Sequence, residues 1–296
     1  MKNQRNLGLL LAIFCYLLWG FLTYFWSLLD NVNSIEVFCY RVLFTIVAML
    51  LYFFISRKTK KLSGELTTMW RNKKALVLGL AASLFLGANW LTFIYSVSIN
   101  EATEASIANF IMPLVSILFA VVFLRERLDR YMFASVACAI LGVVVMVIDD
   151  GRFPILVIIM SVCFPIYTLL KKFYTMSSDV AMVFESLVLL PLVIFFLVFF
   201  AKQPLWIYPP MTIFWLVLSG PVTAIPLLLF AEAIKRAPLS LVSFVQYLNP
   251  TISLLVSVTL LGETLTRGDG YSLIFIASGI LIFFIGQIIL LRRKQI

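Results

Sequence analysis

The sequence predicts an all-α integral membrane protein of ten transmembrane helices, arranged as two inverted five-helix repeats. Three observations lead there. First, 62% of the 296 residues are hydrophobic and 12% charged, with a mean hydropathy of +1.06. A soluble domain is about half apolar and about a quarter charged. Second, ten apolar stretches approach the ~20 residues that a helix needs to cross a bilayer. Third, 105-ASIANFIMPLVSILFAVVFLRERL-128 falls on 242-VSFVQYLNPTISLLVSVTLLGETL-265 after a shift of 137 positions. Ser106 then meets Ser243, Phe110 meets Tyr247, Pro113 meets Pro250 and Glu126 meets Glu263. Gly142 meets Gly279 on the same shift.

So much apolar surface cannot be hidden from water in one core, so the solvent is lipid. Lipid offers the backbone no partners, which leaves helices or a closed barrel. Barrel strands alternate polar and apolar residues, whereas these runs are continuously apolar. In chain order the expected spans are 7–28, 35–56, 75–95, 103–124, 131–148, 153–171, 180–200, 212–233, 239–261 and 271–291. The first follows Lys2 and Arg5 as a signal peptide would. It is too long for a signal core and no small-residue cleavage site follows, so it counts as a span. The connection 57–74 carries seven basic residues and one acid, Glu65. It suits a short surface helix on anionic lipid.

Basic residues orient the bundle. With the N-terminus inside, nineteen of the 23 Lys and Arg residues fall in inner segments and three, Arg152, Lys202 and Arg267, in outer ones. Arg41 lies within a span. The asymmetry places both termini in the cytoplasm. It also explains the net charge of +9 without nucleic acid as a partner. Five spans per half is an odd number, so the second half enters from the opposite side and the repeats are inverted. Their expected limits are 1–148 and 149–296. Inverted repeats are a frequent plan of secondary transporters, with the substrate near mid-membrane at the repeat interface.

Several function classes are excluded by what is missing. There is no histidine, the commonest general base and metal ligand. Cys15, Cys39, Cys138 and Cys163 lie inside apolar spans with no metal-ligand spacing. No Walker loop and no nucleophile–base pair is present, so no enzyme activity, cofactor or metal is expected. The rival readings are a membrane-embedded enzyme, which needs catalytic groups clustered at one face, and a non-transporting scaffold or receptor, which needs a soluble partner-binding region.

Candidate functional residues stand near the in-span prolines. A proline removes a backbone donor and frees a carbonyl one turn earlier. Such breaks line cavities or act as hinges, though a tolerated kink is the plainer alternative. The matched pair Pro113 and Pro250 is read as hinge or gate. Asn89, Trp90, Asn109, Tyr167, Gln246, Tyr247 and Asn249 lie in the spans around them. They suit a midplane pocket with aromatic walls, or serve as glue between helices. Trp19 stands at mid-depth, away from the interface that Trp prefers, facing either a cavity or a neighbouring helix.

A charge at mid-bilayer costs at least about 2.5–3.5 kcal/mol, which makes Arg41 and Glu185 functional candidates. Each lies roughly 8–9 Å below an opposite face, so direct pairing is not expected. Arg41 either snorkels outward or meets an anionic group; Glu185 is a candidate for proton coupling or gating. Glu232 is expected to pair with Lys235 at the interface. Glu126 and Glu263, which close their spans, suit a shared structural clamp.

The runs 89-NWLTFIYSV-97, 104-EASIANFIMPL-114, 123-FLRERL-128, 225-IPLLLF-230 and 246-QYLNPT-251 resemble those of RarD-type permeases. So do 18-LWG-20, Arg41, the Glu185 position and 262-GE-263. These permeases belong to the drug/metabolite transporter superfamily, with EamA-type repeats, and the resemblance spans the whole chain. There are departures. Met112 stands where asparagine often precedes the proline, Arg125 replaces a usual glycine, and Asn249 stands where glycine is common. The resemblance implies a ten-helix secondary permease of the cytoplasmic membrane. Its expected partners are a small organic metabolite or drug and the surrounding lipid, with a proton as the candidate coupling ion.

Overall fold

The structure, a computed structural model, describes residues 2–98, 102–150, 155–173, 176–262 and 267–293. Among these, all regular structure is helical. The first half holds α1 (Lys2–Ser27), α2 (Ser34–Ile55), α3 (Thr59–Arg71), α4 (Lys73–Ser98), α5 (Ala102–Leu124) and α6 (Arg130–Asp150). The second holds α7 (Ile155–Lys172), α8 (Ser178–Phe199), a 3-10 turn (Leu205–Ile207), α9 (Pro210–Arg236), α10 (Leu239–Val245), α11 (Leu248–Leu260) and α12 (Arg267–Arg293).

Local chemistry sets many of the ends. The Asn33 side chain accepts from the Ile35 N–H at the start of α2, and Asp129 accepts from Tyr131 and Met132 N–H at the start of α6. Both satisfy backbone donors that a first turn leaves unpaired. Proline at the first position of α9 needs no donor there. Arg125 closes α5 at φ 54°, and Gly262, its partner under the 137-residue shift, follows α11 at φ 74°. Both repeats therefore stop this helix with a left-handed residue, a conformation glycine adopts freely and arginine does not.

Seven described helices are long and apolar enough to cross a membrane. The shorter apolar stretches Ala108–Leu124, Arg130–Val145 and Ile274–Leu290 lie in α5, α6 and α12. Together they occupy all ten expected spans, and α3 occupies the basic connection. Large apolar side chains face outward around the bundle, among them Phe14, Phe21, Phe54, Phe123, Phe199 and Phe214. Such a belt is untenable in water and ordinary in lipid.

Packing shows the duplication. α4 lies against α7 as α9 lies against α1; α5 meets α7 as α11 meets α1. α2 with α8, and α6 with α12, are self-paired across the repeat boundary. Each repeat crosses the membrane five times, so the second is upside down relative to the first. Gly220 lets the α2 and α9 backbones touch: a Cβ there would strike the Phe44 main chain. Small residues at such crossings permit the close dispersion contact on which helices in lipid depend.

One expected element differs. The span expected to run through 239–261 is broken at Gln246 and Tyr247 into α10 and α11. Pro250 has no N–H for the Gln246 carbonyl one turn earlier. The chain tightens instead, with Tyr247 N–H bonded to Phe244 O at 3.2 Å and Asn249 N–H to Gln246 O at 2.9 Å. The matched Pro113 sits inside α5, which is continuous from Ala102 to Leu124.

Candidate functional site: a cavity shared by the two repeats

A cavity of about 210 Å³ lies between the repeats. From the first repeat, α1 supplies Trp19, Thr23 and Trp26, α2 supplies Arg41, α4 supplies Asn89 and Trp90, and α5 supplies Asn109 and Met112. From the second, Phe164 comes from α7, Thr223 from α9, and Gln246, Asn249 and Ser253 from the broken helix. The shift of 137 carries Asn109 onto Gln246 and Met112 onto Asn249. The same two register positions of each repeat thus face one space. Pro113 and Pro250 deny the carbonyls of Asn109 and Gln246 their usual helical donors, and the Gln246 carbonyl accepts from Asn249 N–H instead.

The cavity is one-sided. Its residues lie toward the C-terminal ends of α1 and α4 and the N-terminal ends of α2 and α5, which is the end of the bundle opposite the chain's N-terminus. Its floor is aromatic. Tyr16, Phe164, Tyr167 and Phe230 pack with ring centroids 5.7–6.3 Å apart, and Trp19 caps them at 5.5–6.4 Å from Tyr16, Phe164 and Phe230. Trp19 therefore both faces the cavity and packs.

Arg41 is held by rings. Its guanidinium lies 4.4 Å from the Trp90 ring centroid, 5.3 Å from Trp26 and 5.6 Å from Phe38. Cation–π contacts of this kind gain strength as water is removed. Its Nε is buried with no hydrogen-bond partner. Asn89 donates to Met160 O at 3.0 Å, so it joins α4 to α7 as well as lining the cavity. Thr23 and Ser253 share a short hydrogen bond between α1 and α11.

Three of the expected site residues, Tyr167, Glu185 and Tyr247, do not line the cavity. Glu185 and the Tyr167 hydroxyl belong to a buried cluster below the floor. There the Lys171 ammonium is 2.7 Å from Glu185 Oε1 and donates to Oε2 at 3.0 Å, and the Tyr167 hydroxyl donates to Oε2 at 3.1 Å. The Lys171 and Glu185 side chains are 3% and 5% exposed. Sequence reading counted Lys171, at the end of span 153–171, among the inner basic residues and missed it as the partner. The available signal was its position four residues after Tyr167 and at the same membrane end as Glu185. Tyr247 is fully buried against Phe244 with its hydroxyl unpaired. Thr23, Trp26, Phe164, Thr223 and Ser253 line the cavity without having been singled out.

The end below the floor is tied across the repeats. Glu126, which follows α5, accepts from Leu239 N–H (2.7 Å), Ser240 N–H (2.9 Å) and Ser240 Oγ (2.7 Å), holding the start of α10. On α3, Glu65 accepts from Ser177 N–H at 2.8 Å and Lys61 pairs with Asp179 at 2.8 Å, fixing the start of α8. Carboxylates at helix N-termini meet unpaired donors and a favourable dipole. Glu232 pairs with Arg236 at 2.7 Å and accepts from Ser178 at 2.6 Å. Lys235, its expected partner, donates to Met176 O at 2.7 Å instead. The helical spacing of four aligns side chains better than three does for this pair. Glu263, the other expected clamp, lies outside the described residues. At the opposite end Glu36 accepts from Lys202 N–H (2.8 Å) and the Tyr208 hydroxyl (2.6 Å). With burial, that bond pushes the phenol up to about 12.

Two inverted helical repeats closed at one end around a polar, aromatic-walled cavity define a membrane transporter rather than an enzyme. The EamA-like transporter family matches residues 6–148 and again 152–285. The chain belongs to that family. Protein RarD of Salmonella typhimurium (strain LT2) is 33% identical over 295 residues, covering 99% of each chain. The uncharacterized transporter YojE of Bacillus subtilis (strain 168) is 30% identical over 286 residues, covering 96% of each. A solved crystal structure superposes with a TM-score of 0.73 at 17% identity, over 93% of this chain and 96% of that one. It bears on the fold alone.

Proposed function

We propose that the chain is a secondary permease that moves a small organic solute by alternating access, with both termini cytoplasmic. The cavity shared by equivalent positions of two inverted repeats carries this reading. Trp19, Arg41, Asn89, Trp90, Asn109, Gln246 and Asn249 form the solute site. Pro113 and Pro250 give its two walls their bending points. The volume lies below the ~300–1,000 Å³ usual for drug-sized ligands, which favours a metabolite-sized cargo. In the charge-based orientation the cavity opens to the outside and the tied end faces the cytoplasm. Tyr167, Lys171 and Glu185 then stand at the inner closure, where Glu185 acts on gating and on any proton coupling. The repeat limits fall near 148, in the last turn of α6.

The test is solute counterflow in liposomes. Wild type exchanges its solute. Filling the cavity with Asn249→Trp abolishes exchange while the protein stays folded and monodisperse. Undiminished exchange in that variant rejects the cavity as the route.

A further inference from the structure

Among the described residues, Arg41 is the only charged one on the cavity wall. Among the described residues its guanidinium has no carboxylate and no hydrogen-bond acceptor; it touches only the rings of Trp26, Phe38 and Trp90. The carboxylates Glu36 of α2 and Glu185 of α8 are engaged elsewhere, Glu36 by Tyr208 and Lys202, Glu185 by Lys171 and Tyr167. Arg41 is half-buried with its Nε shielded, and a cation drawn even partly out of water without a counter-charge is held at a cost. The aromatic frame offsets part of that cost and also fixes the fork, which is shaped to take a carboxylate through parallel N–H donors.

Resting on the transporter reading, we propose that the solute is a small organic monoanion whose carboxylate pairs with Arg41. Its apolar body lies toward the aromatic floor at Trp19 and Phe164. Asn109, Gln246 and Asn249 meet whatever further polar groups it carries. Charge sets the valence. One fixed positive charge and one carboxylate sum to zero, so the loaded cavity is neutral and can cross the occluded state without leaving an unpaired charge in the low-dielectric centre. A dianion such as a phosphate monoester leaves one charge uncompensated, and a cation meets repulsion.

Trp19, Trp26 and Trp90 line the cavity and make its occupancy visible by fluorescence. The experiment titrates the full-length protein in nanodiscs with benzoate and propionate, their neutral amides benzamide and propionamide, and benzylammonium. At least one carboxylate quenches the indoles at a concentration about thirtyfold or more below that of its amide, as loss of one partner of a buried charge pair predicts. Arg41→Gln abolishes that preference, whereas Arg41→Lys keeps part of it. Equal binding of acid and amide by wild type overturns the proposal, as does tighter binding of benzylammonium or absence of binding by both acids. The wild-type comparison decides even if Arg41→Gln does not fold. Counterflow separates the two ideas. A neutral solute exchanged through an Asn249→Trp-sensitive route ends the anion proposal alone; absence of any exchange ends the transporter reading.

Discussion

Removing one member of the Lys171–Glu185 pair tests the architecture of the closed end most directly. At 2.7 Å, and with an effective dielectric of ~20, the Coulomb attraction is ~6 kcal/mol. Desolvation of two ions with side chains 3% and 5% exposed offsets most of it, at several kcal/mol per ion. The pair as a whole therefore adds little stability. Losing one partner is different, because the other is left buried with its charge uncompensated, which costs about 3–5 kcal/mol. Lys171→Met and Glu185→Leu should each destabilise by that amount in equilibrium unfolding from mixed micelles. The double variant should return close to wild type, giving a coupling energy of about 6–10 kcal/mol. If the double loss equals the sum of the single losses, the two groups do not form a pair and the arrangement below the floor is wrong. In proteoliposomes Glu185→Gln, which keeps an acceptor for Tyr167 but leaves Lys171 uncompensated, abolishes proton-coupled uptake in the fraction that reconstitutes folded; unchanged coupling removes Glu185 from that role.

Arg125→Gly relieves a left-handed residue that its counterpart Gly262 already accommodates and should raise stability by about 1 kcal/mol; no gain in the unfolding midpoint contradicts the backbone geometry. Glu126→Ala removes three charge-assisted contacts to the start of α10, each worth about 1.5–3 kcal/mol. A cysteine placed at buried Ala237 should then react at least tenfold faster with an impermeant maleimide added from the cytoplasmic side. An unaltered rate shows that Glu126 does not hold this end shut. Tyr208 has its pKa raised by burial and the Glu36 bond to about 12. Its contribution is therefore complete below pH ~10, where the unfolded phenol begins to ionise, and is lost as pH rises toward 12. The Tm difference between wild type and Tyr208→Phe should shrink across that window and stay constant below it.

The spans, their number and their duplication were legible because membrane insertion is decided by long runs of composition, which survive any local detail. Asn109 and Gln246 were legible because symmetry and proline marked the same position twice. The break after Val245 was not, since Pro113 occupies the matching place in a helix that stays whole; tertiary contact decides between those outcomes. The Lys171 pairing escaped because a lysine at a span end usually reaches water, and only the neighbouring helix reveals that this one does not. Arg41 could be placed in a membrane from sequence, yet its ring of Trp26, Phe38 and Trp90 comes from three different helices whose rotation the sequence does not state.

The proline-centred helix occurs twice in this molecule and wears two shapes: continuous as α5, interrupted as α10 and α11. Since the units are related by inversion, the proposed cycle trades those shapes between them and opens the bundle at its other end. Both end points of the proposed cycle are thus already drawn in one portrait, one per repeat. The missing conformation can be built by threading each half onto the outline of its twin and checked by distances between paired spin labels. A carrier built this way needs only to pass a single bend from one half of the chain to the other.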